Sequence, residues 1–137
     1  MTSFKAKSVR TFGPNGNING YLTELQKDGE LTTAYLTVAY PDCFKGYHLH
    51  KIRESNYVCI RGQVTVILYT KGRGRREVKL ERGDKLNIPI NVPTGIHNTT
   101  REEAWLVNFP DPPYDPSLNG EQVDFTEEEA EAWMKAK

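Results

Sequence analysis

Short β-prone runs, cut at close intervals by Gly, Pro, Asn or Asp, leave this chain few architectures to adopt. Leu31–Tyr40, Asn56–Arg61, Gln63–Thr70, Arg76–Glu81, Lys85–Ile88 and Ala104–Phe109 are rich in Val, Ile, Leu, Tyr and Thr. Many short strands with turn signals between them predict an antiparallel sandwich or barrel. Val64, Val66 and Leu68 alternate with Gln63, Thr65 and Ile67, the period of a strand with one buried face. The run Lys71-Gly72-Arg73-Gly74-Arg75-Arg76 reads as a solvated hairpin tip. One helix is expected, at the far end. Thr126 with Glu129 forms a capping box, acidic residues fill the first turn and Lys135 and Lys137 the last. Trp133 is expected to pack that helix on the barrel. At 137 residues without repeats or linkers, the chain reads as one domain over 1–137.

Charge and patterning narrow the partners. Eighteen basic residues balance eighteen acidic ones, so no one-signed field favours nucleic acid or a membrane surface. No apolar stretch approaches the ~20 residues of a membrane span. The N-terminus lacks the apolar core of a secretory signal, and Cys43 and Cys59 have no CxxC partners. These features lead to the expectation of a cytoplasmic protein.

All three histidines fall in two short segments. In Gly46-Tyr47-His48-Leu49-His50-Lys51, followed by Glu54 and Gly62, the i and i+2 spacing puts His48 and His50 on one strand face and Tyr47 and Leu49 on the other. In Gly83-Asp84-Lys85-Leu86-Asn87-Ile88-Pro89 and Pro93-Thr94-Gly95-Ile96-His97, a strand ends in a Pro/Gly turn that delivers the third histidine.

HxH with a nearby carboxylate and a glycine, then G-x5-P and a later His, resembles the two-part signature of the cupins. That resemblance implies an all-β, jelly-roll-like antiparallel barrel (a double-stranded β-helix) over about 19–110, a loop and short C-terminal helix over 111–137, and a pocket lined by His48, His50 and His97. Within the cupins the chain is similar to the RmlC-like nucleotide-sugar enzymes. Lys45-Gly46-Tyr47-His48 resembles a segment of the dTDP-4-dehydrorhamnose 3,5-epimerases. His48-Leu49-His50-Lys51 resembles the HAHK of the dTDP-4-keto-6-deoxyhexose 3,4-ketoisomerases. Phe109-Pro110-Asp111-Pro112-Pro113-Tyr114 resembles the stretch that carries the epimerase tyrosine.

The resemblance implies an isomerase acting on a dTDP-4-keto-6-deoxy sugar, with His48 as general base and Tyr114 as general acid. His50 or His97 would then steady the enolate, and Lys45, Lys51 and Arg53 would meet the diphosphate. Asn108 is a further pocket candidate. Where the family has a lysine, seven residues before the barrel glycine, this chain has Ser55. Asn19-Gly20 replaces Arg-Gly, and no aspartate can be matched to the one that orients the base. Imidazole titrates near neutrality, so proton transfer beside a ketone needs no metal or other cofactor.

Two alternatives stand beside this reading. A metal-dependent cupin would hold a divalent transition metal on His48, His50, His97 and Glu54, although Ser55 rather than Glu54 occupies the usual glutamate register. A non-catalytic sugar-binding cupin would need only the pocket. A homodimer is expected, because exposed sheet edges invite a second chain, with the apolar run Thr32–Tyr40 as the candidate contact.

Overall fold

The computed structural model describes residues 5–6, 8–27, 33–112, 117 and 120–136, and Tyr114 lies outside these. Among the described residues there are eleven strands and one helix: β1 (Ser8–Phe12), β2 (Ile18–Lys27), β3 (Thr33–Ala39), β4 (Cys43–His50), β5 (Ser55–Arg61), β6 (Gln63–Thr70), β7 (Gly74–Glu81), β8 (Lys85–Ile88), β9 (Thr94–Asn98), β10 (Ala104–Asn108), β11 (Gln122–Asp124) and α1 (Glu127–Lys135). They form two antiparallel sheets, β1-β2-β3-β10-β5-β8 and β11-β4-β9-β6-β7. The six runs read from sequence are all strands, within about two residues at their ends. β1 and β11 are short and largely exposed, and the ten-residue β2 interleaves its apolar residues with Asn, Gly, Thr, Glu and Gln, so none of the three shows an apolar run. β9 lies where the Pro and Gly residues predict a turn, and it pairs with both β4 and β6.

The expected alternation in β6 sorts two cores onto opposite faces of its sheet. Val64, Val66 and Leu68 join Leu80, Ile96, Ala104 and Leu106 between the sheets. Ile67 and Tyr69 face outward with Tyr47 and Ala130, the residue that α1 buries there. The helix carries the expected capping box, Thr126 accepting from the Glu129 amide and Glu129 from the Thr126 amide. Trp133 is only partly buried and lies under Lys71, whose Nζ is 4.5 Å from the ring centroid, so Ala130 makes the deeper contact. Gly72 and Gly74 at the β6–β7 tip have positive φ and open space around them, as a solvated turn requires.

The expected dimer contact needs correction. β3, the core of Thr32–Tyr40, pairs with β2 on one side and β10 on the other, and Ala34, Val38 and Ala39 are buried. Its backbone edge is therefore used within the chain. The sheet's edge strands are β1, which exposes Val9 and Phe12, and β8.

One irregularity decides where the histidines go. β4 and β9 pair Phe44 with His97 and Lys45 with Ile96, and pairing resumes at His48 with Thr94. Three steps on β4 thus face two on β9. An extra residue reverses the alternation of everything beyond it. Phe44 and His97 share the outer face, whereas His48 and His50 turn inward. Gly46 sits in this bulge at φ 128°, and a Cβ there would lie 2.8 Å from the Thr94 carbonyl oxygen and 2.9 Å from the Gly95 Cα.

Gly46→Ala is therefore expected to cost at least twice as much stability in urea denaturation as Gly72→Ala. The latter sits at φ 85° with nothing near its Cβ and pays only the left-handed backbone penalty of about 1 kcal/mol. Equal losses would show that the bulge tolerates a side chain.

Candidate active site

Inside the barrel the apolar core fills one end, and polar side chains line the other. His48, His50, Arg53, Ser55, Thr37 and Asn108 all border the open end. The cleft measures about 1290 Å³ and continues onto the outer face, where Phe44, Tyr47, Ile67 and His97 line it. All three histidines thus border one cleft, but from opposite faces of the sheet. His97 meets Phe44 edge-on with ring centroids 5.9 Å apart. The expectation that His97 could steady an enolate formed at His48 is corrected by the β4 bulge, which separates the two faces.

Each inward histidine leans on a carboxylate near β11. Pairing of Asp124 with His48 and of Gln122 with His50 lays that short strand along β4. His48 Nδ1 is 2.6 Å from Asp124 Oδ1, and Gln122 Nε2 donates to the same oxygen at 3.1 Å. Burial pushes the Asp124 carboxyl upward, but the hydrogen bonds from Gln122 and His48 outweigh it and hold the group below its ordinary value. The Gln122 amide nitrogen also lies 3.3 Å from His48 Nδ1, but the ionised carboxylate at 2.6 Å is nearer and only accepts, so the His48 proton sits on Nδ1 and Nε2 is left as the basic nitrogen. The dyad is open to solvent, with His48 45% exposed.

His50 has the drier surroundings. Its Nδ1 lies 3.1 Å from Glu121 Oε2, and that carboxylate also accepts from the Arg53 amide at 3.1 Å and Arg53 Nε at 3.2 Å. Glu121 is 5% exposed. Burial pushes its carboxyl up, and the bonds from His50 and Arg53 more than reverse this. Burial lowers the His50 pKa, the hydrogen bond to Glu121 raises it, and the nearby Arg53 charge lowers it again, with the net shift downward.

Asp124, Glu121 and Gln122 were not found from sequence. They lie more than seventy residues from the histidines they support, and no local pattern marks them. The only available signal was the alternation of Gln122 and Asp124 with Val123 and Phe125 behind Gly120.

The remaining candidates divide. Arg53 borders the cleft but is bound to Glu121, with its side chain 11% exposed. Asn108 borders it while its Oδ1 accepts from the Asn56 amide. Lys51 is exposed and lies outside the cleft lining. Lys45 reaches the lining, yet it is buried and its Nζ donates to Thr11 Oγ1 at 2.9 Å and the Val38 carbonyl at 3.0 Å. Its amine ties β4 to β1 and β3 instead of standing open at the mouth for a diphosphate. Ser55 is buried and lines the cavity, whereas Glu54 is turned to Asn87.

The metal set His48, His50, His97 and Glu54 is not assembled. His97 faces outward and Glu54 lies outside the cleft lining. Among the described residues, no three His, Cys, Asp or Glu side chains are grouped to hold a metal ion. Nor is any described helix long and apolar enough to cross a membrane.

The chain belongs to the WxcM-like, C-terminal family (FdtA), whose model matches residues 12–125. No curated protein matches it by sequence. Among solved structures it is similar to the capsular polysaccharide assembling protein CapF of Staphylococcus aureus, with TM-score 0.70 and 14% identity over 85% of this chain and 34% of CapF. It is also similar to the oxalate decarboxylase of Lactobacillus farciminis in its formate complex (TM-score 0.67, 16% identity, 85% of this chain and 39% of that one). A double-stranded β-helix protein of Klebsiella pneumoniae matches at TM-score 0.62 and 14% identity, over 80% of this chain and 86% of that one. The fold is therefore the expected cupin barrel, and the chain spans about a third of the length of CapF.

Lys45 gives a test of the site's interior. Burial lowers its pKa from 10.5 to about 8. Below pH 8 both folded and unfolded chains carry the proton, and the folded state bears the full penalty. Between pH 8 and 10.5 the unfolded chain binds more protons, so stability rises with pH through that window. The gain is about 3 kcal/mol at the outside. The difference in unfolding free energy between wild type and Lys45→Met should shift towards wild type from pH 8 to 10.5. A pH-independent difference would mean that the amine is solvated.

Proposed function

We propose that the protein is a nucleotide-sugar ketoisomerase or epimerase acting on a dTDP-4-keto-6-deoxy sugar without a metal. The observation that carries this reading is the His48–Asp124 dyad, whose basic Nε2 belongs to a ring turned into an open cavity beside a second carboxylate-backed imidazole. FdtA family membership and the likeness of Lys45–Lys51 to the ketoisomerase segment support the substrate class.

His48 Nε2 takes the proton from C3, next to the C4 ketone, and the electron pair moves onto O4 to give an enediolate. Asp124 holds the ring and stabilises the imidazolium that forms. For ketoisomerisation, His48 returns the carbon proton to C4 while His50 takes the O3 proton and passes it to O4. C3 becomes the carbonyl, and no atom is gained or lost. For epimerisation, Tyr114 returns a proton to C3 from the opposite face. Ser55 contributes a neutral hydroxyl to the cavity where a lysine is expected of the epimerases, which favours the ketoisomerase.

His48→Ala and His48→Asn should each abolish isomerisation of dTDP-4-keto-6-deoxyglucose and the solvent-deuterium exchange at C3, without loss of fold. Tyr114→Phe should lower an epimerase rate by roughly 10²–10⁴-fold, while Glu54→Gln leaves turnover near wild type and no stoichiometric metal accompanies the purified protein. Wild-type exchange in a His48 variant would reject the base. Binding of the nucleotide sugar without any exchange would identify a non-catalytic binding module, and metal loss with activity in Glu54→Gln would identify a metal enzyme.

The same proposal includes a cytoplasmic homodimer, joined along β1, the edge strand of its sheet among the described residues, where Val9 and Phe12 are exposed. Light scattering at micromolar concentration should give twice the 15.6 kDa chain mass, and a monomer would reject it.

A further inference from the structure

His50 Nδ1 has two neighbours that make opposite demands. Glu121 Oε2, at 3.1 Å, is an ionised carboxylate oxygen that only accepts, and Arg53 Nη2, at 3.2 Å, only donates. One ring nitrogen cannot serve both. With a proton on Nδ1 the ring donates to Glu121. Without it the ring accepts from Arg53 and turns a lone pair on a buried anion.

The surroundings decide between these states. Glu121 gathers donors: the Arg53 amide binds Oε1, and Arg53 Nε binds Oε2. A carboxylate has about four lone-pair sites, so a third donor fits without displacing another. The Nδ1–H state satisfies that demand. In the other state Glu121 loses a bond in a place where water does not replace it, since its side chain is 5% exposed. The guanidinium spreads its charge over three nitrogens, so its Nη2 loses less by facing an N–H than the carboxylate loses by facing a lone pair.

We infer that Glu121 is a positioning residue: it fixes His50 as the Nδ1–H tautomer and so presents Nε2 as a proton acceptor to the cavity. Arg53 holds the carboxylate in place through its amide and Nε. His50 consequently enters the reaction as an acceptor of the hydroxyl proton, and not as an N–H donor to the enolate. This assignment of role rests on the ketoisomerase reading above, whereas the tautomer itself does not. His48 and His50 then stand two residues apart on one strand face, each held in the same tautomer by its own carboxylate, Asp124 and Glu121.

The test is long-range ¹H–¹⁵N correlation NMR of the imidazoles in the wild-type chain near pH 7.5, without substrate. His50 should show a protonated Nδ1 and a pyridine-like Nε2. A protonated Nε2, or an averaged mixture, would overturn the inference whatever the variants do. In Glu121→Ala, Arg53 Nη2 is the remaining polar neighbour of Nδ1 among the described residues, so His50 should switch to the Nε2–H form while the His48 signals stay in place. Its kcat for the sugar nucleotide should fall by roughly 10²-fold or more, as expected of a wrong tautomer, with a KM change of only a few-fold. Retention of the Nδ1–H form in Glu121→Ala, or full turnover with the switched form, would overturn the positioning role. A wild-type chain that shows the expected tautomer but turns over no nucleotide sugar would reject the ketoisomerase reading and leave the tautomer assignment standing.

Discussion

The extra residue in β4 between Lys45 and His48 is the constraint on which the site depends. Strand alternation would otherwise put His48 on the face occupied by Phe44 and His97. With the bulge, Phe44 and Tyr47 both face outward and pack with each other, and Tyr47 continues to Tyr69, while His48 and His50 point into the barrel. The close approach of backbones at this point needs glycine on both strands. A Cβ on Gly95 would lie 2.5 Å from the Phe44 ring, and one on Gly46 would lie against the Thr94 carbonyl. The aromatic cluster outside and the imidazole pair inside are two consequences of one shift in register.

The second requirement is a source of negative charge beside the imidazoles, and the chain supplies it from a distant segment. β11 adds an edge strand to β4, which delivers Asp124 to His48, and Glu121 just before it reaches His50 and Arg53. Hydrogen bonding keeps both carboxyls ionised against their partial burial. Both imidazoles are thereby oriented in advance, so little reorganisation is required when a proton moves. The two environments differ in water content, and this suits different tasks. The exposed dyad at His48 can accommodate a charged imidazolium, while the drier His50 favours a neutral ring.

Much of this was legible in the sequence, and the failures have physical causes. The barrel followed from strand runs with a two-residue period, and α1 from Thr126 and Glu129, because these signals are local. The inward pairing of His48 with His50 followed from their spacing, since both lie beyond the bulge. His97 lines the cleft as expected but from the face opposite His48, because a one-residue bulge in β4, which leaves no mark on composition, reverses the alternation of His48 and His50 relative to β9. Lys45 looked like a surface cation, and only the tertiary structure reveals that its amine is spent on Thr11 and Val38. Asp124 and Glu121 were invisible because strand pairing across more than seventy residues is not encoded in any short window.

The central claim is that the inward face of β4, with His48 as its base, is where a keto sugar reacts. A crystal structure of the protein with a bound dTDP-sugar tests it most directly. The account predicts the sugar ring inside the barrel mouth, with the carbon next to the keto position about 3–3.5 Å from His48 Nε2, as a near-attack geometry requires. A sugar bound instead on the outer face beside His97 and Phe44, or a metal ion held by the imidazoles of His48 and His50, would contradict it.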